Sequence, residues 1–306
     1  MSDDTGLATF EDVGTPERDR PPFVRLPEPA TLFAARAERF AALAPGHQLE
    51  GYLGFLAGLS RAQATLSAAI GTPTLPATHE LRLRAANAMP VLPREDLATD
   101  PATSEAFDRL AEELAGVVMP DAARAALARA VAAEPDAKHA MFAAVIADEV
   151  PVEAVAEHIF AAAALQVVAA RRSALIDPAL PQPVAEGVCP CCGGPPVAST
   201  VVADLHVEGV RYVHCSLCAA QWNHVRVKCV TCGSTKGIAY QEIEGVADTI
   251  KAETCDECRT YVKILNRRKA PELEPVADDV ASLGLDLLVT EAGWRRAGVN
   301  PFLLGY

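Results

Sequence analysis

Apolar residues recur every three or four positions through the first half of the chain. Leu49, Tyr52, Leu53, Leu56, Leu59 and Leu66 fall on one helical face, and Val152, Val155, Ile159, Ala163 and Val167 fall on another. Pro151, just before the second set, fits the first turn of its helix, where a missing N–H costs nothing. Pro and Gly breaks divide the rest of this half into further helices over 30–45, 103–117, 120–133 and 137–148, and the abundance of Ala and Leu favours helix throughout. Residues 29–176 are therefore expected to form an all-α domain. Ahead of it, residues 1–28 carry Asp3, Asp4, Glu11, Asp12, Pro16, Pro21, Pro22 and Pro27 without a sustained apolar period, the pattern of a flexible arm.

The pattern changes across residues 177–187, where three prolines interrupt the chain and mark a linker. Beyond it the β-branched runs Val197–Val202, Val210–His214 and Val225–Val227 are separated by turn residues and predict short ribbons. Val276, Val280, Leu283 and Leu287 return to helical spacing from about Glu274, so 270–306 reads as one closing helix and a tail. Gly284 inside that helix costs about 1 kcal/mol relative to Ala.

Cysteine spacing adds the chemistry. Eight of the nine cysteines form CxxC pairs: Cys189/Cys192, Cys215/Cys218, Cys229/Cys232 and Cys255/Cys258. Twenty-two residues separate the first pair from the second, and 22 again separate the third from the fourth, so a shift of 40 superimposes one half on the other. This is an internal duplication. It defines two four-cysteine modules, 188–227 and 228–269. A CxxC turn presents two thiolates from one tight loop, and two such loops give the S4 tetrahedron preferred by zinc or by a single rubredoxin-type iron. Each module is expected to close its own site, Cys189, Cys192, Cys215 and Cys218 in the first and Cys229, Cys232, Cys255 and Cys258 in the second. Free thiols or disulfide pairs do not explain a repeat in register. Gly193 and Gly233 recur after the first knuckle of each module, where a glycine lets the backbone fold back and aim amides at sulfur. Cys191, between two ligands, reads as an outward-pointing spare. Near the knuckles lie Arg211, Arg226, Lys228, Lys236, Lys251, Arg259 and Lys263, which could offset thiolate charge or simply be solvated. His206, His214 and His224 find no vacancy in a set of eight cysteines and read as groups at the surface or beside the sites, whereas His47, His79, His139 and His158 lack metal spacing and read as structural.

The remaining composition mainly excludes. A chain of 306 residues, half of them apolar, has room for more than one domain. Forty acidic against 27 basic side chains give a net charge of −13, which argues against nucleic acid and anionic membrane surfaces as partners. Residues 186–269 hold ten basic and nine acidic side chains, too balanced for a nucleic-acid-binding ribbon. The longest apolar run, Ile159–Ala170, is interrupted by Gln166, is too short to span a bilayer and reads as a core helix rather than a membrane insertion. The acidic start, Met1-Ser-Asp-Asp, lacks the signature of a signal peptide, so a reducing cytoplasm is expected, with cysteines as thiols or ligands. No Ser/His/Asp signature, GxGxxG after a strand or P-loop is present. Four CxxC copies in knuckle spacing differ from the single thioredoxin-type motif. Asp278/Asp279 and Asp256/Glu257 are adjacent pairs of the kind that usually faces solvent. Catalysis has no sequence support, and the chain is read as a non-enzyme.

The order of these features, a helical half followed by Cys189-Pro-Cys-Cys-Gly-Gly-Pro-Pro-Val-Ala-Ser, His214-Cys-Ser-Leu-Cys-Ala-Ala-Gln-Trp, Val227-Lys-Cys-Val-Thr-Cys-Gly, Ile250-Lys-Ala-Glu-Thr-Cys-Asp-Glu-Cys and Val276-Ala-Asp-Asp-Val-Ala-Ser-Leu, resembles the FdhE family of formate dehydrogenase accessory proteins. The likeness is sharp from Val188 to the Asn300-Pro-Phe tail and extends over the helical half in length and character. Ala219 departs from it, standing after a knuckle where glycine is common. The resemblance implies a multidomain α plus small β fold: an all-α N-terminal domain, two tandem rubredoxin-like or zinc-ribbon-like modules and a C-terminal helix. It also implies a cytoplasmic chaperone that binds the catalytic subunit of a respiratory formate dehydrogenase, with two metal ions per chain on the eight paired cysteines. Iron is favoured by the resemblance, while the spacing accepts zinc equally. A homodimer, a zinc-ribbon module with another partner and an iron or thiol redox protein stay open at this point.

Overall fold

The structure, a computed structural model, describes residues 21–203 and 209–303. Its first half holds the helices α1 (Pro29–Leu43), α2 (Glu50–Ala69), α3 (Thr78–Ala86), α4 (Pro101–Glu113), α5 (Asp121–Val131), α6 (Pro135–Ala147) and α7 (Val155–Ser173). Proline opens α1, α4 and α6, where its missing N–H is no loss. Asp100 caps α4 by accepting from the Ala102 amide at 2.9 Å. The start of α7 differs from expectation, because Pro151 precedes a 3₁₀ turn over Val152–Ala154 and the α-helix begins only at Val155. Fourteen of its 19 residues are buried, and the run Ala161–Ala164 lets α2, α4, α5 and α6 pack closely around it. Counted from Val152 to Ser173, this segment is long and apolar enough to cross a membrane by length and composition, further than the run Ile159–Ala170 suggests. In the fold it is the axis of the helical bundle.

The second half builds one sheet from β2 (Pro196–Val202), β3 (Val210–Cys215), β4 (Gln221–Asn223), β5 (Ile238–Gln241), β6 (Ile250–Cys255) and β7 (Thr260–Asn266). Strands are antiparallel within each module, and the modules meet where β2 runs parallel to β7, with Ser199 opposite Ile264. Two short strands, β1 (Val24–Arg25) and β8 (Arg295–Arg296), complete the order β1-β4-β3-β2-β7-β6-β5, with β8 beside β7. The described end of the expected arm is thus docked. Val24 faces Trp222, the Phe23 carbonyl accepts from Asn223 N at 2.7 Å, and Tyr212 donates to the Pro22 carbonyl at 2.9 Å. Residues 1–20 of that arm lie outside the described residues.

Two further elements depart from the sequence pattern. Val225–Val227 form no strand; Val225 and Val227 are exposed while the chain turns toward the second module, its Arg226 and Lys228 carbonyls held by the Arg211 guanidinium. The single closing helix is two, α8 (Ala277–Ala281) and α9 (Leu283–Glu291), broken at Ser282 rather than weakened at Gly284. Lys263 Nζ donates to the Ser282 carbonyl at 3.0 Å and to its hydroxyl at 2.9 Å, anchoring the break to β7.

Helices and sheet share one apolar core, which includes Leu56, Phe160 and Leu165 from the bundle and Val213, Trp222 and Leu265 from the sheet. A smaller cluster of Ala252, Tyr261, Leu285 and Val289 seats α9 on the second module. Asp278 and Asp279, expected at the surface, are buried. Asp278 accepts two hydrogen bonds from Arg39, at 2.8 and 2.6 Å, and Asp279 meets Arg296, Asn300 and Lys263. Their partners lie on α1, β7, β8 and the tail, which makes buried carboxylates tolerable.

Candidate metal centres

Each module folds its two knuckles toward each other. In the first, Cys189 and Cys192 precede β2 while Cys215 ends β3; Cys189 Sγ lies 3.7 Å from Cys218 Sγ and Cys192 Sγ lies 3.4 Å from Cys215 Sγ. In the second, the Cys229–Cys258 and Cys232–Cys255 sulfurs are both 3.7 Å apart. Within each group all four sulfurs lie within 4.8 Å of one another. The crossed arrangement, first knuckle with third, does not occur. An S4 tetrahedron with metal–sulfur bonds of about 2.3 Å has edges of about 3.8 Å, so both groups already have the size of a zinc or single-iron site.

The turns that achieve this use left-handed backbone. Gly193 and Gly233 have φ of 77° and 73°, and their amides donate back to the Cys189 and Cys229 carbonyls at 2.8 and 3.1 Å. The amides that reach sulfur belong to other residues: Gly194 N to Cys192 at 3.4 Å, Cys218 N to Cys215 at 3.5 Å, and Thr231 N to Cys229 at 3.4 Å. After the second knuckles, Ala219 and Arg259 take φ of 58° and 56°, so the alanine that stands in place of a glycine is strained there.

Burial raises the Cys189 thiol well above its ordinary value, and hydrogen bonds with Cys191, Cys192, Cys215 and Cys218 raise it further. Burial also works against ionising Cys218, yet bonds from Cys189, Cys192 and Cys215 outweigh it and hold that thiol well below the ordinary range. Cys258 repeats the pattern 40 residues on: burial raises it, and Thr260, Cys232, Cys229 and Cys255 bring it down. A thiolate solvated by neighbouring thiols is the donor set that a soft cation completes by displacing the remaining protons.

The two groups differ in surroundings. Cys189, Cys192, Cys215 and Cys218 are at most 3% exposed. In the second group Cys229 and Cys255 are buried, Cys258 is half-buried and Cys232 is exposed. Cys191 does not point outward. It is fully buried and its carbonyl accepts from Leu92 N at 2.7 Å, because the helical half covers that knuckle. His214 is buried beside Thr200 Oγ1 at 2.8 Å; burial, with Arg267 and Arg25 nearby, lowers its pKa to about 3. His224 bonds the Lys228 carbonyl at 3.1 Å, and His206 lies outside the described residues. His47 accepts from Leu49 N at 3.0 Å at the head of α2.

Of the basic residues near the knuckles, Arg211 and Lys263 are fully buried and pair with carboxylates. Arg211 makes two bonds to Glu253, at 2.9 and 2.8 Å, across the seam between modules. Lys228, Lys251 and Arg259 pair near the surface with Glu186, Glu242 and Asp256. Thr260, which stands 3.0 Å from Cys258 Sγ, carries no motif that would single it out in the sequence, and nothing within the Ile250–Cys258 stretch marks Glu253 as paired.

A helical bundle fused to two duplicated four-cysteine ribbons in one sheet defines a class of protein organised around two four-sulfur groups. Family models described as FdhE N-terminal, FdhE central domain and FdhE C-terminal domain match residues 21–186, 188–226 and 227–303. A protein FdhE homolog of Rhizobium meliloti is 48% identical over 288 residues, covering 93% of this chain and 94% of the relative. One from Stutzerimonas stutzeri is 35% identical over 93% of both chains. The crystal structure of the FdhE protein from Pseudomonas aeruginosa superposes with a TM-score of 0.83 at 32% identity, covering 93% of this chain and 99% of that one. The chain belongs to the FdhE family.

Proposed function

We propose that this protein is a formate dehydrogenase accessory protein that binds the enzyme's catalytic subunit during assembly, using a surface whose shape is fixed by two four-cysteine metal sites. In this reading Cys189, Cys192, Cys215 and Cys218 hold one ion and Cys229, Cys232, Cys255 and Cys258 the other. The family likeness favours iron, and the S4 geometry accepts zinc as well. The observation that carries the reading is the pair of sulfur groups at tetrahedral size in a chain of this family. Such centres staple a small sheet that has limited core of its own and hold its loops still, which suits recognition of another protein. The protein acts in the cytoplasm and does not itself oxidise formate.

The test is deletion of the gene in its host, measurement of formate-dependent dye reduction, and complementation with a tagged copy. Expected are loss of activity on deletion, recovery with the intact chain, failure with a Cys192→Ser and Cys215→Ser chain, and capture of the catalytic subunit by the tag. Full activity without the gene, together with no capture, overturns the assignment.

A further inference from the structure

The 40-residue repeat allows the two centres to be compared position by position. At the knuckle tips the first module has Cys191, Ser216 and Leu217, and the second has Thr231, Asp256 and Glu257. The first three are buried and the second three exposed. What covers the first centre is the helical half: Val91 N and Leu92 N donate to the Pro190 and Cys191 carbonyls at 3.1 and 2.7 Å, and Gln166 of α7 donates to the Ser216 carbonyl at 2.7 Å. Pro90 packs so close to Gly193 that an added Cβ would stand 3.1 Å from it. At the equivalent Gly233 the neighbours are the exposed Glu186 and the half-buried Lys228, paired with each other.

We infer that the two centres are inequivalent by construction: the first is sealed when the chain folds, and the second is an exchange site through which a soft divalent ion enters and leaves the folded protein, beginning at Cys232. This rests on the reading that both sulfur groups hold metal. Reaching the first centre requires the sheet to part from Leu92 and α7, a local opening that breaks hydrogen bonds and exposes core. Reaching the second requires no such opening, since Cys232 is exposed and Cys258 half-buried. Asp256, paired with Arg259, and Glu257 stand exposed at the rim of the open centre.

The full chain, loaded with zinc under oxygen-free reducing conditions, is mixed with excess of a chromophoric pyridylazo chelator, and a parallel sample is pulsed with N-ethylmaleimide and mapped by peptide mass. One equivalent of zinc is expected to leave at least about tenfold faster than the other, a barrier difference of about 1.4 kcal/mol. Labelling is expected first at Cys232 and Cys258. A Cys232→Ser chain is expected to lose the fast equivalent and keep the slow one. Release of both equivalents in a single phase, or labelling that starts within Cys189–Cys218, overturns the inference while leaving the metal-scaffold reading intact. A chain that binds no metal at either centre overturns that reading and this one together.

Discussion

Replacing Arg211 by methionine tests how the two modules are held together. The guanidinium is fully buried, and the Glu253 carboxylate facing it is 3% exposed. Besides its two bonds to Glu253, Arg211 donates to Ser199 Oγ at 2.9 Å and to the Arg226 and Lys228 carbonyls at 3.2 and 3.3 Å, so it ties β3, β2, β6 and the inter-module turn to one point. Arg211→Met leaves a buried carboxylate whose remaining donor is the Tyr240 hydroxyl at 3.2 Å. Stranding one member of a buried pair costs about 3–5 kcal/mol, and Glu253→Leu is expected to cost a similar amount by stranding the guanidinium. The double variant removes both desolvation penalties and should fall short of the sum by about 2 kcal/mol or more. Urea unfolding of the metal-loaded chain, followed by the fluorescence of its two tryptophans, Trp222 and Trp294, measures each corner of the cycle. Single variants costing under about 1 kcal/mol, or costs that add within about 0.5 kcal/mol, would refute the reasoning.

Oxygen-free preparations should carry two metal ions per chain, counted by elemental analysis, and acidification should release them because protons compete for the thiolates. Gly193→Ala should lower stability by about 1–2 kcal/mol through its positive φ, and Ala219→Gly should be neutral or raise it by about 0.5 kcal/mol, as strain relief at φ 58° offsets unfolded-state entropy; thermal unfolding reads both. Burial raises the Asp279 carboxyl, but Arg296 and Lys263 outweigh it and hold its pKa below the ordinary carboxylate value. That contribution is present above about pH 4 and lost as pH falls through the lowered pKa, so Asp279→Asn should lower stability at neutral pH and flatten the acid limb of a stability-against-pH curve.

The grouping of the eight sulfurs was legible because two CxxC turns that meet impose a spacing, and duplication repeated that spacing in register. The long helices were legible because a buried face recurs every 3.6 residues. Helix α3 was not: only Leu81 and Ala85 of its nine residues are buried, too few to set a period. Strand β1 escaped for the same reason, since two residues carry no alternation and its pairing is fixed by Trp222, nearly 200 residues away in sequence. The buried charges were misread because their partners are equally remote. Asp278 is paired from α1 and Arg211 from the other module, and a local window sees only an isolated charge. Cys191 was misplaced because nothing near it in sequence reveals that Leu92 and its neighbours close over that knuckle.

The shift of 40 residues also matches strand to strand, β2 to β5, β3 to β6 and β4 to β7, so the parallel seam joins the head of one copy to the tail of the next. A head-to-tail contact, unlike a two-fold one, does not use itself up; it leaves two unlike ends, each able to accept another copy. Strand β1 stops one end by occupying the free edge of β4 with the chain's own N-terminal segment. The other end finishes on β5, four residues long, and brevity is the means by which a sheet edge discourages growth. The sheet is therefore a dimeric fragment of an unbounded ribbon, and a third copy of the unit engineered in tandem would extend it past β5 but not past β1.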